Sequence, residues 1–214
     1  STVSGNSANF GGGIFNAGGT AAINSTITGN RADADGDNWG HGGGILNTLA
    51  THLFNTIVAG NTVGTGTTPD DIGSMNIEAG SDHNLIGDPG SAGGLTGVGN
   101  NLVGADGDGT GVLDTTTVFQ DVVVDGVIDE NDLADNGGPT KTHALISGSP
   151  ALDAGANPDS LPFDQRGTGF PRILDGGVNG LIVDVGAFEF DGSVPDSFIV
   201  NTATDENDGT ADPG

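Results

Sequence analysis

Short runs in which one or two β-branched residues sit among Ser, Thr and a closing Gly-Asn recur along the first half of the chain. Ser1-Thr2-Val3-Ser4-Gly5-Asn6 returns as Ser25-Thr26-Ile27-Thr28-Gly29-Asn30 and again as Asn55-Thr56-Ile57-Val58-Ala59-Gly60-Asn61. A second run alternates with it: Gly11-Gly12-Gly13-Ile14-Phe15-Asn16 recurs as Gly42-Gly43-Gly44-Ile45-Leu46-Asn47. Further on, His83-Asn84-Leu85-Ile86-Gly87 and Asn100-Asn101-Leu102-Val103-Gly104 repeat at a spacing of 17 residues. Runs this short, rich in Val, Ile and Thr and ended by Gly or Asn, predict strands and turns rather than helices.

The spacings are 24 residues from Val3 to Ile27, 30 from Ile27 to Ile57 and 31 from Ile14 to Ile45. They predict a period in the low twenties that carries an insertion around residues 31–41. Short strands at a steady repeat, each with one or two inward apolar residues, fit an all-β parallel β-helix in which every coil stacks on the last. Val3, Ile27 and Ile57 are expected to form one interior ladder, and Ile14 and Ile45 another. Asn6, Asn30 and Asn61 are expected at equivalent turns, where amides hydrogen-bond along a stack and tolerate left-handed backbone. The Gly triplets suit corners with positive φ and close backbone approach. They do not suit a phosphate cradle, because no Lys or following helix accompanies them.

Composition narrows the partners. Of 214 residues 41 are Gly, and four Lys and Arg face 25 Asp and 4 Glu, a net charge of −25. Such a chain repels nucleic acid and anionic lipid and attracts cations. No apolar run approaches 18 residues and no leader pattern is present, so neither membrane insertion nor a signal peptide is expected. The chain opens at Ser1 as a processed or excised piece would. Cys is absent, which excludes disulfides and thiolate metal sites. A hydrophobic content of 34% raises disorder as an alternative, against which the periodicity argues.

The Asp excess is clustered. Asp121, Asp125, Asp129 and Asp132 occupy positions 1, 5, 9 and 12 of a loop with Gly126 at 6 and the carbonyl of Val127 at 7, the rhythm of an EF-hand calcium loop. The loop resembles the dockerin variety, with Asp rather than Glu at 12, and departs from it at Val123, where position 3 loses a ligand. Asp106, Asp108, Thr110 and Asp114 repeat the rhythm, without a carboxylate at Thr117. Asp33, Asp35 and Asp37 crowd the insertion ahead of Asn38 and His41, where like charges repel unless a cation neutralises them. Ca²⁺ is the expected ion at all three. Histidines 41, 52, 83 and 143 lack zinc-ligand spacing, and His143 is read as a hydrogen-bonded structural residue. Trp39, beside Gly40 and His41, is read as a lid over a core end in preference to an exposed sugar-stacking platform. Asp70 and Asp71 are adjacent, so on a strand they face opposite ways and make no glycosidase pair. No catalytic residue is expected.

The Thr-Ile-Thr-Gly-Asn and Gly-Gly-Gly-Ile-x-Asn runs resemble the right-handed parallel β-helix repeats of bacterial surface proteins, of the polymorphic outer membrane protein and adhesin types. The stretch Asp135-Asn136-Gly137-Gly138-Pro139-Thr140-Lys141-Thr142-His143-Ala144-Leu145 resembles the end module of choice-of-anchor surface proteins. So do Gly148-Ser149-Pro150-Ala151-Leu152-Asp153, Asp164-Gln165-Arg166-Gly167, Pro171-Arg172 and Val183-Asp184-Val185-Gly186-Ala187-Phe188-Glu189. Within it, Lys141, Arg166 and Arg172 are expected to pair with Asp135, Asp153, Asp164 or Glu189. The segment Phe198-Ile199-Val200-Asn201-Thr202 resembles the opening strand of such modules. The resemblance implies coils over 1–134, an end module over 135–191, and a linker and terminal strand over 192–214. It implies a secreted or cell-surface structural protein, a filament or biofilm-matrix repeat that pairs with its neighbour head to tail through residues 197–203. The alternative is an adhesin stalk that binds glycans or host protein, and behind it a polysaccharide lyase or hydrolase.

Overall fold

The computed structural model describes residues 1–74, 76–175 and 181–192. The protein is all-β. Strands β1 (Thr2–Ser4), β2 (Ile14–Asn16), β3 (Thr20–Ile23), β4 (Thr26–Thr28) and β5 (Arg31–Ala32) are followed by β6 (Ile45–Asn47), β7 (Thr51–Phe54), β8 (Ile57–Ala59) and β9 (Thr62–Val63). Then come β10 (Thr68–Pro69), β11 (Leu85–Ile86), β12 (Leu102–Gly104), β13 (Asp108–Thr110), β14 (Leu174–Asp175) and β15 (Leu181–Ile182). The helices among the described residues are single 3₁₀ turns. None is long and apolar enough to cross a membrane.

Most pairings run between repeats, while β9–β10 and β14–β15 are antiparallel pairs of chain neighbours. One sheet has the order β1-β4-β8-β11-β12-β13 with every pair parallel. β2 pairs parallel with β6, β3 with β7 and β5 with β9. The register places Ile14 on Ile45, and Leu85 and Ile86 on Leu102 and Val103, as the repeats predict.

One expected ladder is corrected. Ile27 stands opposite Val3 and Val58, and Ile57 stands opposite Thr26 and Leu85. The third run has one residue more, and the corners on either side set its register. Asn24 and Asn55 share a left-handed φ of 49° and 51°, and Gly29 and Gly60 share 65° and 70°. Both pairs are 31 residues apart, the step that also separates Ile14 from Ile45. The left-handed residue at the Gly-Asn corner is thus the glycine, not Asn6, Asn30 or Asn61 as expected. A Cβ on Gly60 would also lie 2.8 Å from Thr115 Cγ2.

The inner strands of the six-stranded sheet, β4, β8, β11 and β12, are largely buried on both faces. Ile27, Val58, Ile86 and Val103 turn into a core completed by Ala22, Ile45, Leu53, Ile72 and Ala92, so that side chains from the sheet, β6 and β7 meet. Ile57, Ala59 and Leu85 turn the other way, into a second core with Val118, Phe119, Ile128, Leu145, Val185 and Phe188. Residues of the 113–151 and 183–190 stretches therefore lie along the outer face of this sheet. Fully burying each such side chain contributes roughly 1.5–3 kcal/mol.

Candidate functional site

Three features of the sequence carried candidate chemistry, and the fold treats them differently. Asp33, Asp35 and Asp37 sit in the loop that follows β5, and they bring one oxygen each to within 4.8 Å of one another. They form the one such group of three among the described residues. Asp33 adopts a left-handed φ of 53° and is 2% exposed. Its Oδ1 accepts the Asn38 N–H at 3.1 Å. Asp35 Oδ2 accepts from Asn9 Nδ2 at 2.5 Å, and Asp37 Oδ1 accepts the Trp39 N–H at 2.9 Å. Trp39 itself is 74% exposed, so it is no lid over the core. It is flanked by Asn38 and Gly40 in the loop after β5.

In the 121–132 loop the carboxylates are turned to backbone N–H groups. Asp121 accepts from Val124, Asp125 and Gly126 at 2.6, 3.2 and 2.7 Å. Asp125 accepts the Val127 N–H at 3.0 Å, and Asp129 the Asn131 N–H at 2.7 Å. Asp132 is buried and accepts from Val122, Val123 and Asp129. Calcium takes six to eight oxygens at about 2.3–2.6 Å, and here no three of these carboxylates converge to within 4.8 Å. Asp106 likewise accepts from the N–H groups of Asp108 and Thr110 and from the Thr110 hydroxyl. The Thr110 N–H holds the Asp106 carboxyl below its ordinary range, and its hydrogen bond and negative charge push Asp108 up. Asp114 caps the 3₁₀ turn Thr115–Thr117.

Asp70 and Asp71 face opposite ways. Asp70 is 9% exposed, accepts the Gly42 N–H at 2.8 Å and lines a cleft of about 510 Å³ with His41, Ile72 and Leu95. Burial raises its pKa and the Gly42 N–H opposes the rise. Asp71 ends the expected amide ladder, a role the sequence did not announce. Asn6 donates its N–H and Nδ2 to Asn30 Oδ1, Asn30 donates likewise to Asn61 Oδ1, and Asn61 likewise to Asp71 Oδ1, all at 2.9–3.1 Å. Asp71 Oδ2 accepts the Asp88 N–H at 2.8 Å. Burial pushes the Asp71 pKa up to about 7 against these donors.

Of the three basic residues of the 135–191 segment, Arg166 and Arg172 are paired inside it as expected, and among the described residues Lys141 is not. Arg166 meets Asp164 at 2.7 Å and lies 3.9 Å over the Phe188 ring. Arg172, fully buried, meets Glu189 at 3.2 Å. It also donates to Asn24 Oδ1 and to the carbonyls of Asp184 and Gly186. Burial pushes Glu189 up and Arg172 pulls it down. His143 is buried against Phe119 and bonded to Ser4 Oγ at 2.8 Å, and burial lowers its pKa to about 4. Lys141 forms no ion pair among the described residues. The expected terminal strand, 197–203, lies outside the described residues.

No family model, curated protein or solved structure matches the chain.

Proposed function

We propose that this chain is an extracellular structural repeat protein, wound as a right-handed parallel β-helix and joined end to end into a cell-surface or matrix filament. Calcium neutralises part of its charge in this reading. The observation that carries it is the amide ladder, which runs across successive strands of the sheet and stands open at Asn6. Asn6 Oδ1 accepts no hydrogen bond among the described residues, whereas the same oxygen of Asn30 and of Asn61 accepts two. Beside it, β1, β2 and β3 each pair on one edge alone among the described residues. Unpaired edges of this kind template the addition of a strand. The incoming strand in this reading is residues 197–203 of a neighbouring copy. The chain acts as scaffold and carries out no catalysis.

The charge of −25 sets the condition for assembly. Like-charged subunits repel, so strand pairing must be helped by bridging cations or screened by salt. Sedimentation of the intact protein with calcium tests this. Mass should grow with protein concentration, and a version lacking 197–214 should stay monomeric. Equal, concentration-independent monomers from both would defeat the reading.

A second reading, an adhesin stalk that binds glycans, draws on the cleft beside Asp70. Its volume falls in the range of small-ligand sites. Binding of neutral oligosaccharides without filaments would favour it.

A further inference from the structure

We propose that the cleft beside Asp70 is a binding site for an amino sugar, whose protonated amine pairs with the Asp70 carboxylate. This ligand deepens the second reading above, on which it rests, and is independent of filament assembly.

The cleft opens where a row of side chains runs out. Ile14 stands on Ile45, Ile45 on Ile72 and Ile72 on Ala92. The residue that follows each of these on the strand faces the opposite way. Those residues are Phe15, Leu46, Gly73 and Gly93 in turn. Phe15 is exposed and Leu46 half-buried, whereas the two glycines leave the row empty and line the hollow of about 510 Å³. Neither position admits a side chain. A Cβ on Gly73 would lie 2.5 Å from the Gly42 nitrogen, and one on Gly93, at a φ of 64°, would lie 2.6 Å from Ile77 Cγ1. Close backbone packing therefore walls the hollow on this side.

The same approach of Gly42 holds the carboxylate. Asp70 is 9% exposed, and its Oδ2 accepts the Gly42 N–H at 2.8 Å. Its Oδ1 accepts no hydrogen bond among the described residues, which leaves one oxygen for a ligand. No Lys, Arg or His lies within ion-pair distance of Asp70 among the described residues. His41 acts on it from farther off, and the Asp88 carboxylate, at the N-cap of the Pro89–Ser91 turn, adds negative charge. A neutral ligand over Asp70 would strip water from a carboxylate and leave its charge unmatched. An ammonium matches it through a charge-assisted hydrogen bond. A divalent cation fits less well, because it takes six to eight oxygens and no three acids converge here among the described residues.

The rest of the lining suits a sugar ring better than the narrow arm of a lysine. Ile72, Ala92 and Leu95 offer an apolar surface to the C–H face of a ring, and Thr96 offers a hydroxyl at the exposed rim.

Calorimetric titration of the intact protein with glucosamine, beside glucose, N-acetylglucosamine and lysine amide, tests the site. Glucosamine should bind one to one and about tenfold more tightly than the two uncharged sugars, the difference between a charge-assisted and a neutral hydrogen bond. Asp70→Asn keeps an acceptor for the Gly42 N–H and should erase that preference. Asp159→Asn, which removes the same charge from an exposed position elsewhere, should preserve it. Thr96→Trp should fill the hollow and block every sugar while leaving Asp70 in place, with circular dichroism confirming the fold of each variant. Equal affinity for glucosamine and the uncharged sugars, or a preference that survives Asp70→Asn, would overturn the amine pairing and leave a glycan cleft standing. Lysine amide binding as tightly as glucosamine would overturn the sugar. Absence of binding by every sugar would remove this site and the second reading together, while sedimentation reports on the filament separately.

Discussion

Asn61 donates both its backbone N–H and its side-chain Nδ2 to a single oxygen of Asp71, at 3.0 and 2.9 Å. The same two-donor step joins Asn6 to Asn30 and Asn30 to Asn61. An amide passes this pattern on, since it accepts from one repeat and donates to the next. A carboxylate ends it, because it only accepts. At position 71 that property is needed, for the Asp88 N–H approaches the second oxygen at 2.8 Å.

The ladder should be a stability element whose weight grows inward. Asn61→Ala removes an acceptor for two donors of Asn30 and strands them in a buried site, at a cost of roughly 2–4 kcal/mol. Asn6→Ala, at the exposed end, should cost about 1 kcal/mol or less. Urea unfolding of the two variants measures the difference, and equal costs would contradict the ladder's role.

Asp71 makes stability depend on pH in an unusual direction. Its ordinary pKa is 3.8 and burial raises the folded value to about 7. The folded state therefore keeps a proton that the unfolded state releases. Its stabilising contribution is fully present below about pH 4 and is lost as pH rises toward 7, at up to about 1.4 kcal/mol per pH unit. Asp71→Asn should flatten the Tm profile over that window. A profile unchanged by the substitution would contradict the assignment.

His143 works in the opposite sense. Its folded pKa of about 4 lies below the ordinary 6.5, so stability is present above pH 6.5 and falls as pH drops toward 4. Asp129 and Asp132, whose charges oppose the shift, limit the loss. His143→Gln can retain the bond to Ser4 and should remove the acid-side decline. Persistence of that decline would point to other groups.

Arg172 anchors the 135–191 segment to the corner at Asn24. Arg172→Met leaves Glu189 a buried charge without its partner and should cost about 3–5 kcal/mol. Glu189→Gln keeps a carbonyl toward Arg172 and should cost less. Guanidinium melts read the ranking, and a near-neutral Arg172→Met would overturn it.

Much of this was legible in the chain, and the failures have physical causes. The pairing of Ile14 with Ile45 and the stacking of Asn6, Asn30 and Asn61 followed from repetition alone. Ile57 was misplaced by one residue because the run was aligned on its first β-branched residue, whereas the Asn and Gly-Asn corners set the register. The run Ile57-Val58-Ala59, apolar at every position, is the mark of a strand buried on both faces. It was the available signal that a further part of the chain, residues of the 113–151 and 183–190 stretches, would cover the sheet. Asp33 was visible as one of three crowded acids. Its burial was not, since that depends on β9 and Gly64 arriving from a later part of the chain. Asp71 had no local signature, because its slot is defined by Asn61 and Asp88 across space.

Electron microscopy of the intact protein in calcium, beside a version ending at residue 192, tests the central claim most directly. The account predicts unbranched filaments of constant axial repeat from the intact chain and dispersed particles from the shortened one. Dispersed monomers from both, at high protein and calcium, would contradict it.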